Sequence, residues 1–218
     1  MNHGDTKPSK DFPQVISLIS FLGFFLLSHF SRQYSSLFGL VVLLGIGFPI
    51  YWGFYSRNWP GLGFGKGKLP QALLWGILAG VLSSLLGTLV INDFSMPDQL
   101  GKQLLIGIPL WVMIISPFQE FFFRGWLQSR VSRRLGKHWG LVISNLAFTA
   151  WHYLSPIVDL SEYPLRSWVG LFSTFLAGLV YGYAFQRSQS IIAPWLGHAI
   201  SGIVFLIIGA MDLLQFIY

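Results

Sequence analysis

Long runs of apolar residues dominate this sequence and restrict the folds open to it. Of its 218 residues, 53% are hydrophobic and only 10% are charged, whereas an ordinary soluble domain carries about 25% charged residues. A helix of about 20 apolar residues spans the hydrocarbon core of a bilayer, so the chain has room for about seven such helices, within a range of six to eight. The sequence therefore predicts an all-α, polytopic membrane helix bundle.

Six apolar runs are well delimited, and a seventh apolar region comes after them. The six runs cover residues 15–30, 37–55, 70–91, 104–127, 139–154 and 167–185. The region 191–218 is interrupted by Gly209 and Asp212, so we expect either one long helix or two short ones. We predict that residues 1–14 are a disordered N-terminus, that 15–218 form a single transmembrane domain, and that the basic stretch 128–138 connects the fourth and fifth helices.

The basic residues are distributed unevenly between the two sides of this predicted bundle. Cytoplasmic loops of membrane proteins carry an excess of Lys and Arg. Three basic residues fall on one side, Arg32, Lys102 and Arg166. Ten fall on the other side, which also holds the N-terminus: Lys7, Lys10, Arg57, Lys66, Lys68, Arg130, Arg133, Arg134, Lys137 and Arg187. The sequence therefore predicts a multi-pass integral membrane protein with a cytoplasmic N-terminus.

Composition also excludes several classes of function. The chain has no cysteine, which excludes disulfides, iron–sulfur clusters and thiol catalysis. The net charge of +6 is best explained by loops that lie beside anionic membrane lipids. No basic soluble surface is left for DNA or RNA, so we expect membrane lipids and a membrane-anchored peptide or protein, and no nucleic acid, as partners.

One carboxylate and one guanidinium lie inside the fourth apolar run. Glu120 and Arg124 are four residues apart, so on a helix they share a face and can pair. A charge at the centre of a bilayer costs on the order of 3 kcal/mol, and such residues usually face inward, pair and serve a function. A pair that only locks the helix in place is the other interpretation.

Two histidines add to the polar groups at membrane depth. His152 ends the fifth run, and His198 lies near the start of the last apolar region. Two chemistries fit these residues. In one, Glu120 and a histidine activate a water that attacks a carbonyl, while the second histidine donates a hydrogen bond to the oxyanion. In the other, Glu120, His152 and His198 bind a zinc ion with one position open for water.

The pattern of these residues resembles the CAAX-protease and bacteriocin-processing family of intramembrane proteases, also called the Abi family. Residues Gln119 to Gly125 are similar to its first motif, Glu-Glu-x-x-x-Arg followed by Gly. Phe148 and His152 match its second motif, Phe-x-x-x-His, and His198 matches the histidine of its third, His-x-x-x-Asn or Asp. The resemblance covers residues 108–202 and implies an intramembrane endopeptidase that cleaves a membrane-associated or prenylated peptide. It also implies catalytic roles for Gln119, Glu120, Arg124, His152 and His198.

Two positions depart from the family's motifs. Gln119 replaces the first glutamate, which the resemblance implies works with the second-motif histidine on a water, and an amide is not a base. Gly202 replaces the Asn or Asp of the third motif and has no side chain to complete an oxyanion site. Two functions are therefore open: a protease in which Glu120 has become the base, or a catalytically degenerate family member that acts as a membrane scaffold, assembly or regulatory factor.

Overall fold

A computed structural model describes residues 14–65, 68–91, 94–155 and 167–211. These residues form seven helices, which confirms the predicted all-α bundle, and no regular strand occurs among them. The expected disordered N-terminus, apart from Gln14, lies outside the described residues, as do Lys66 and Arg166 of the predicted loops. The helices are α1 (Gln14–Phe30), α2 (Ser36–Ser56), α3 (Leu69–Thr88), α4 (Leu100–Leu135), α5 (Lys137–Leu154), α6 (Trp168–Ser188) and α7 (Ile192–Ile207).

The predicted connection over 128–138 is wrong, because α4 continues through it to Leu135. Ser129 to Leu135 extend the same helix, and their arginines give it a basic end. The chain turns only at Gly136, where φ is +91°, a backbone conformation that glycine adopts without steric cost. The run of apolar residues ends at residue 127, because the last two turns of α4 are polar although their backbone remains helical.

The last apolar region contains one described helix. α7 ends at Ile207, and Gly209, two residues later, has a φ of +73°. The positive φ lets the chain leave the helix axis directly. Asp212 and the residues after it lie outside the described part of the chain. The described residues therefore contain one helix that ends before Gly209, and they do not test a second helix after it.

The outer surface of the bundle is apolar. Helices α2, α3, α4 and α6 are long and apolar enough to cross a membrane, and α1 and α7 are shorter apolar helices. Large hydrophobic side chains such as Leu85, Leu105 and Trp168 are exposed, as expected where lipid replaces water as the solvent. The protein is an integral membrane protein.

Small residues bring α3 and α7 together. A Cβ atom placed on Gly80 would lie 2.7 Å from Cβ of Ile200, and one on Gly76 would lie 3.0 Å from the Ala193 carbonyl oxygen. The two helix backbones are therefore close enough for direct van der Waals contact, as small-xxx-small pairs allow in membranes. This contact holds α7, and with it His198, firmly against the bundle.

An aromatic cluster fixes α1 and α5 against the middle of α4. Phe24 of α1 stacks on Phe122 with ring centroids 4.0 Å apart, and the Trp151 indole N–H of α5 donates to Ser28 Oγ at 2.6 Å. Phe24, Phe122 and Trp151 are all fully buried. The polar stretch of α4 therefore lies between a rigid aromatic layer on one side and α6 and α7 on the other.

Candidate active site

The central part of α4 is a helix with two widened turns. The backbone is π-helical over Trp111–Ile115 and again over Phe121–Gln128. Pro117 lacks an N–H, and its ring clashes with the carbonyl four residues earlier in a regular helix, which the preceding widened turn relieves. Such π turns are frequent at functional sites, and these two flank Gln119 and Glu120.

Glu120 and Arg124 form a completely buried ion pair. Their exposed fractions are 0% and 1%, and Arg124 Nε lies 3.3 Å from Glu120 Oε2. The guanidinium also donates from Nη2 to the Gly178 carbonyl of α6 at 3.0 Å and lies 4.0 Å from the centre of the Phe148 ring of α5. Arg124 therefore ties α4 to two neighbouring helices and compensates the charge of the carboxylate.

The second oxygen of this carboxylate holds a histidine. His198 Nδ1 lies 2.7 Å from Glu120 Oε1. Because a carboxylate only accepts hydrogen bonds, His198 donates through Nδ1–H and its Nε2 is left for other partners. The Tyr181 ring stacks on His198 at 5.1 Å, and its hydroxyl is 2.6 Å from Ser201 Oγ, so the imidazole is fixed in position and tautomer.

His152 is fixed by its own helix. Its Nδ1 lies 2.9 Å from the Phe148 carbonyl oxygen, which can only accept, so the Nδ1 of His152 carries a proton. In the neutral ring Nε2 is then an unprotonated acceptor. Phe148, the partner of His152 in the second motif, thus supplies a carbonyl to this histidine and an aromatic face to Arg124.

Gln119, His152 and His198 line a cavity of about 70 Å³. A water needs about 10–15 Å³ on this measure, so the cavity can hold several waters or part of a peptide. Gln119 Oε1 is buried without a hydrogen-bond partner among the described residues. The cavity walls come from α3, α4, α5, α6 and α7 and include Gln119, His152, His198, Trp111, Tyr181 and Gly202.

The five predicted site residues fall into two groups. Gln119, His152 and His198 line the cavity, whereas Glu120 and Arg124 lie behind it, Glu120 against His198 and Arg124 against Phe148. Sequence reasoning missed Trp111 and Tyr181, which also line the cavity. No sequence signal distinguishes them, because a tryptophan and a tyrosine in a membrane helix are usually interfacial anchors.

The family comparison covers the whole of this cluster. The sequence model of the family described as Type II CAAX prenyl endopeptidase Rce1-like matches residues 101–204. The match covers 104 of the 218 residues and includes the positions of all three motifs that carry the resemblance. Searches among curated proteins and among solved structures gave no match. The matched segment includes Gln119, Glu120, Arg124, His152 and His198, and it confirms the resemblance read from the motifs.

The predicted zinc ligands do not gather into a metal site. Among the described residues, no three His, Cys, Asp or Glu side chains lie close enough together to hold an ion. The Glu120 carboxylate is already paired, since Arg124 Nε lies 3.3 Å from its Oε2 and His198 Nδ1 lies 2.7 Å from its Oε1. Since zinc in catalytic sites takes three protein ligands, this arrangement of the described residues does not fit zinc.

Proposed function

We propose that the protein is an intramembrane endopeptidase in which His152, rather than a carboxylate, activates the attacking water. The observation that carries this proposal is that two residues line the same cavity: His152, whose Nδ1 is held by the Phe148 carbonyl, and Gln119, whose amide oxygen has no partner among the described residues. An imidazole with one nitrogen fixed and the other free is a suitable general base. The expected substrate is a membrane-associated peptide or protein.

The proposed reaction is hydrolysis of a peptide bond. Gln119 Oε1 accepts a hydrogen bond from the water and orients it, and His152 Nε2 takes a proton as the water oxygen attacks the carbonyl carbon. The same proton then passes to the peptide nitrogen, the carbon–nitrogen bond breaks, and an acid and an amine leave. The amide of Gln119 contributes orientation alone, which supplies part of what a carboxylate would supply.

His198 has a different role because of its partner. The Glu120 carboxylate is shared between Arg124 and His198, and its Oε1 accepts from His198 Nδ1–H, which stabilises positive charge on the ring. A protonated His198 donates from Nε2 to the oxygen of the carbonyl under attack, where negative charge develops. Glu120 then acts as a positioning residue behind His198, which differs from the role of base expected for it from sequence.

A second candidate function comes from Gln119 itself. The amide is buried in the position where the family's motif has a glutamate, and it takes up no proton. A family member with this replacement can retain the fold and the cavity and use them to bind a membrane partner. That interpretation makes the chain a scaffold, assembly or regulatory factor.

One assay separates the two functions. Purified protein in lipid vesicles is given a panel of membrane-anchored peptides, some of them prenylated, and the products are identified by mass spectrometry. We compare wild type with His152→Phe, with Gln119→Glu, and with His29→Phe, whose histidine is exposed and distant in the chain from the motifs.

The endopeptidase predicts cleavage by wild type, a loss of about 100-fold or more in His152→Phe, and wild-type activity in His29→Phe. Gln119→Glu should be faster, because a carboxylate shares the proton of the water. If wild type cleaves no peptide but Gln119→Glu does, the second candidate function is established. If neither protein cleaves a peptide, the endopeptidase proposal is refuted, and proteins that copurify with the chain become the candidates for its partner.

A further inference from the structure

Trp111 occupies the place of a missing side chain in the cavity. The residue belongs to the first widened turn of α4, and its indole lies against Gly202 of α7. A Cβ atom built on Gly202 would overlap the indole, with Nε1 as the nearest atom. Trp111 therefore fills the space into which any larger residue at position 202 would project.

The indole nitrogen is a buried donor without an acceptor. Trp111 is 4% exposed, and its Nε1 has no hydrogen-bond partner among the described residues. The indole N–H can only donate, and in buried tryptophans it usually finds a partner. Since Trp111 lines the same cavity as His152 and His198, the natural acceptor is an oxygen of whatever occupies that cavity.

The position of this donor matches what the proposed reaction needs. Gly202 lies one helical turn after His198, so the two residues share a face of α7. Trp111 and Gln119 lie on the same face of α4, with Ile115 between them, and all three line the cavity. A carbonyl carbon attacked by water beside Gln119 and His152 would thus have its oxygen near His198 and the Trp111 N–H.

We infer that Trp111 Nε1–H is the second hydrogen-bond donor to the developing oxyanion, in place of the side chain that Gly202 lacks. The inference rests on the proposed endopeptidase function and assigns a catalytic residue to it. It uses an indole where the resemblance implies an Asn or Asp, and it explains why α7 carries glycine at this position: a larger residue would displace the donor.

Kinetics give the first test. Trp111→Phe keeps an aromatic ring but removes the N–H, and loss of one oxyanion donor lowers kcat by about 100- to 1,000-fold, with KM little changed. The matched control is Trp126→Phe, because Trp126 is equally buried, also has an unpartnered Nε1, and does not line the cavity. We expect the control to retain activity within about twofold of wild type.

A double variant tests the spatial argument. The double variant Trp111→Ala/Gly202→Asn removes the indole and places an amide donor in the space that the indole leaves. It should regain part of the activity that Trp111→Ala loses, whereas Gly202→Asn alone should be impaired because the new side chain meets the indole. Equal activity of Trp111→Phe and Trp126→Phe, with a cleaving wild type, would overturn the inference and leave the proposed function intact.

A binding measurement keeps the inference testable without cleavage. The probe is an uncleavable membrane-anchored peptide phosphinate, whose tetrahedral anionic group imitates the intermediate, and the readout is the ¹⁵N–¹H spectrum of the indoles. The Trp111 signal, identified by its loss in Trp111→Phe, should shift downfield on binding, and that of Trp126 should not. A shift in a protein that cleaves nothing would show that the indole donates to an anion in the cavity, but it would reject the endopeptidase and with it the catalytic role of Trp111. An unmoved signal, with or without binding, would overturn the donor.

Discussion

Removing the Arg124 guanidinium should destabilise the protein far more than removing an exposed one. Arg124→Met leaves the Glu120 carboxylate at 0% exposure with His198 as its remaining partner. It also deletes the hydrogen bond to the Gly178 carbonyl and the contact with the Phe148 ring. Loss of one partner of a buried ion pair costs about 3–5 kcal/mol. For a chain of this size that corresponds to a fall in Tm of about 6–20 °C.

The assay is thermal unfolding in detergent, monitored by tryptophan fluorescence, for a complete double-mutant cycle. Glu120→Gln removes the carboxylate, and the double variant removes both charges. Because the double variant leaves no uncompensated charge behind, its destabilisation should be smaller than the sum of the two single effects by about 2 kcal/mol. Arg187→Met is the matched control; its guanidinium is exposed and lies 5.8 Å from the Trp75 ring, so we expect a change within about 1 kcal/mol.

Two results would refute this reasoning. Additive single effects would mean that the Glu120–Arg124 pair has no net coupling in the folded protein. A loss in Arg124→Met no larger than in Arg187→Met would mean that burial does not raise the cost of the unpaired carboxylate. Either result would also weaken the role of Glu120 in fixing His198, because that role depends on an ionised, compensated carboxylate.

Three further predictions concern the packing and the chemistry of the bundle. Trp151→Phe should destabilise the protein by about 1 kcal/mol, because it deletes the 2.6 Å hydrogen bond to Ser28 between α5 and α1; thermal unfolding measures it, and an unchanged Tm would contradict it. Gly80→Leu should prevent close packing with Ile200 and abolish a monodisperse elution peak, whereas Gly47→Leu, at a position with open space, should elute normally. A chelator should leave any cleavage activity unchanged, since the described residues gather no three-ligand metal set; inhibition that added zinc reverses would overturn this.

Much of the site was visible in the sequence because its residues are polar in an apolar background. Glu120, Arg124, His152 and His198 stand out in this way, and burial of each requires a partner. The four-residue spacing of Glu120 and Arg124 is also a local property, which any helix turns into a contact. Their convergence into one cluster could be expected from the cost of leaving such groups alone in hydrocarbon.

The sequence by itself determined that this is a membrane helix bundle and which family it resembles. Apolar run length and motif spacing are local properties, and the bilayer imposes helices on such runs whatever the packing between them. The sequence did not show that α4 extends to Leu135, because the polarity of its last turns conceals a helix that continues beyond the apolar layer.

Only the tertiary structure shows which polar groups line the cavity and which lie behind it. Glu120 and Gln119 are neighbours in the chain, yet Gln119 lines the cavity while Glu120 turns to Arg124 and His198. Trp111 and Gly202 are far apart in sequence, and only the packing of α4 against α7 places the indole N–H where a side chain is missing. Contacts between helices depend on the rotation and depth of each helix in the bundle, and neither quantity is encoded in the pattern of a single run.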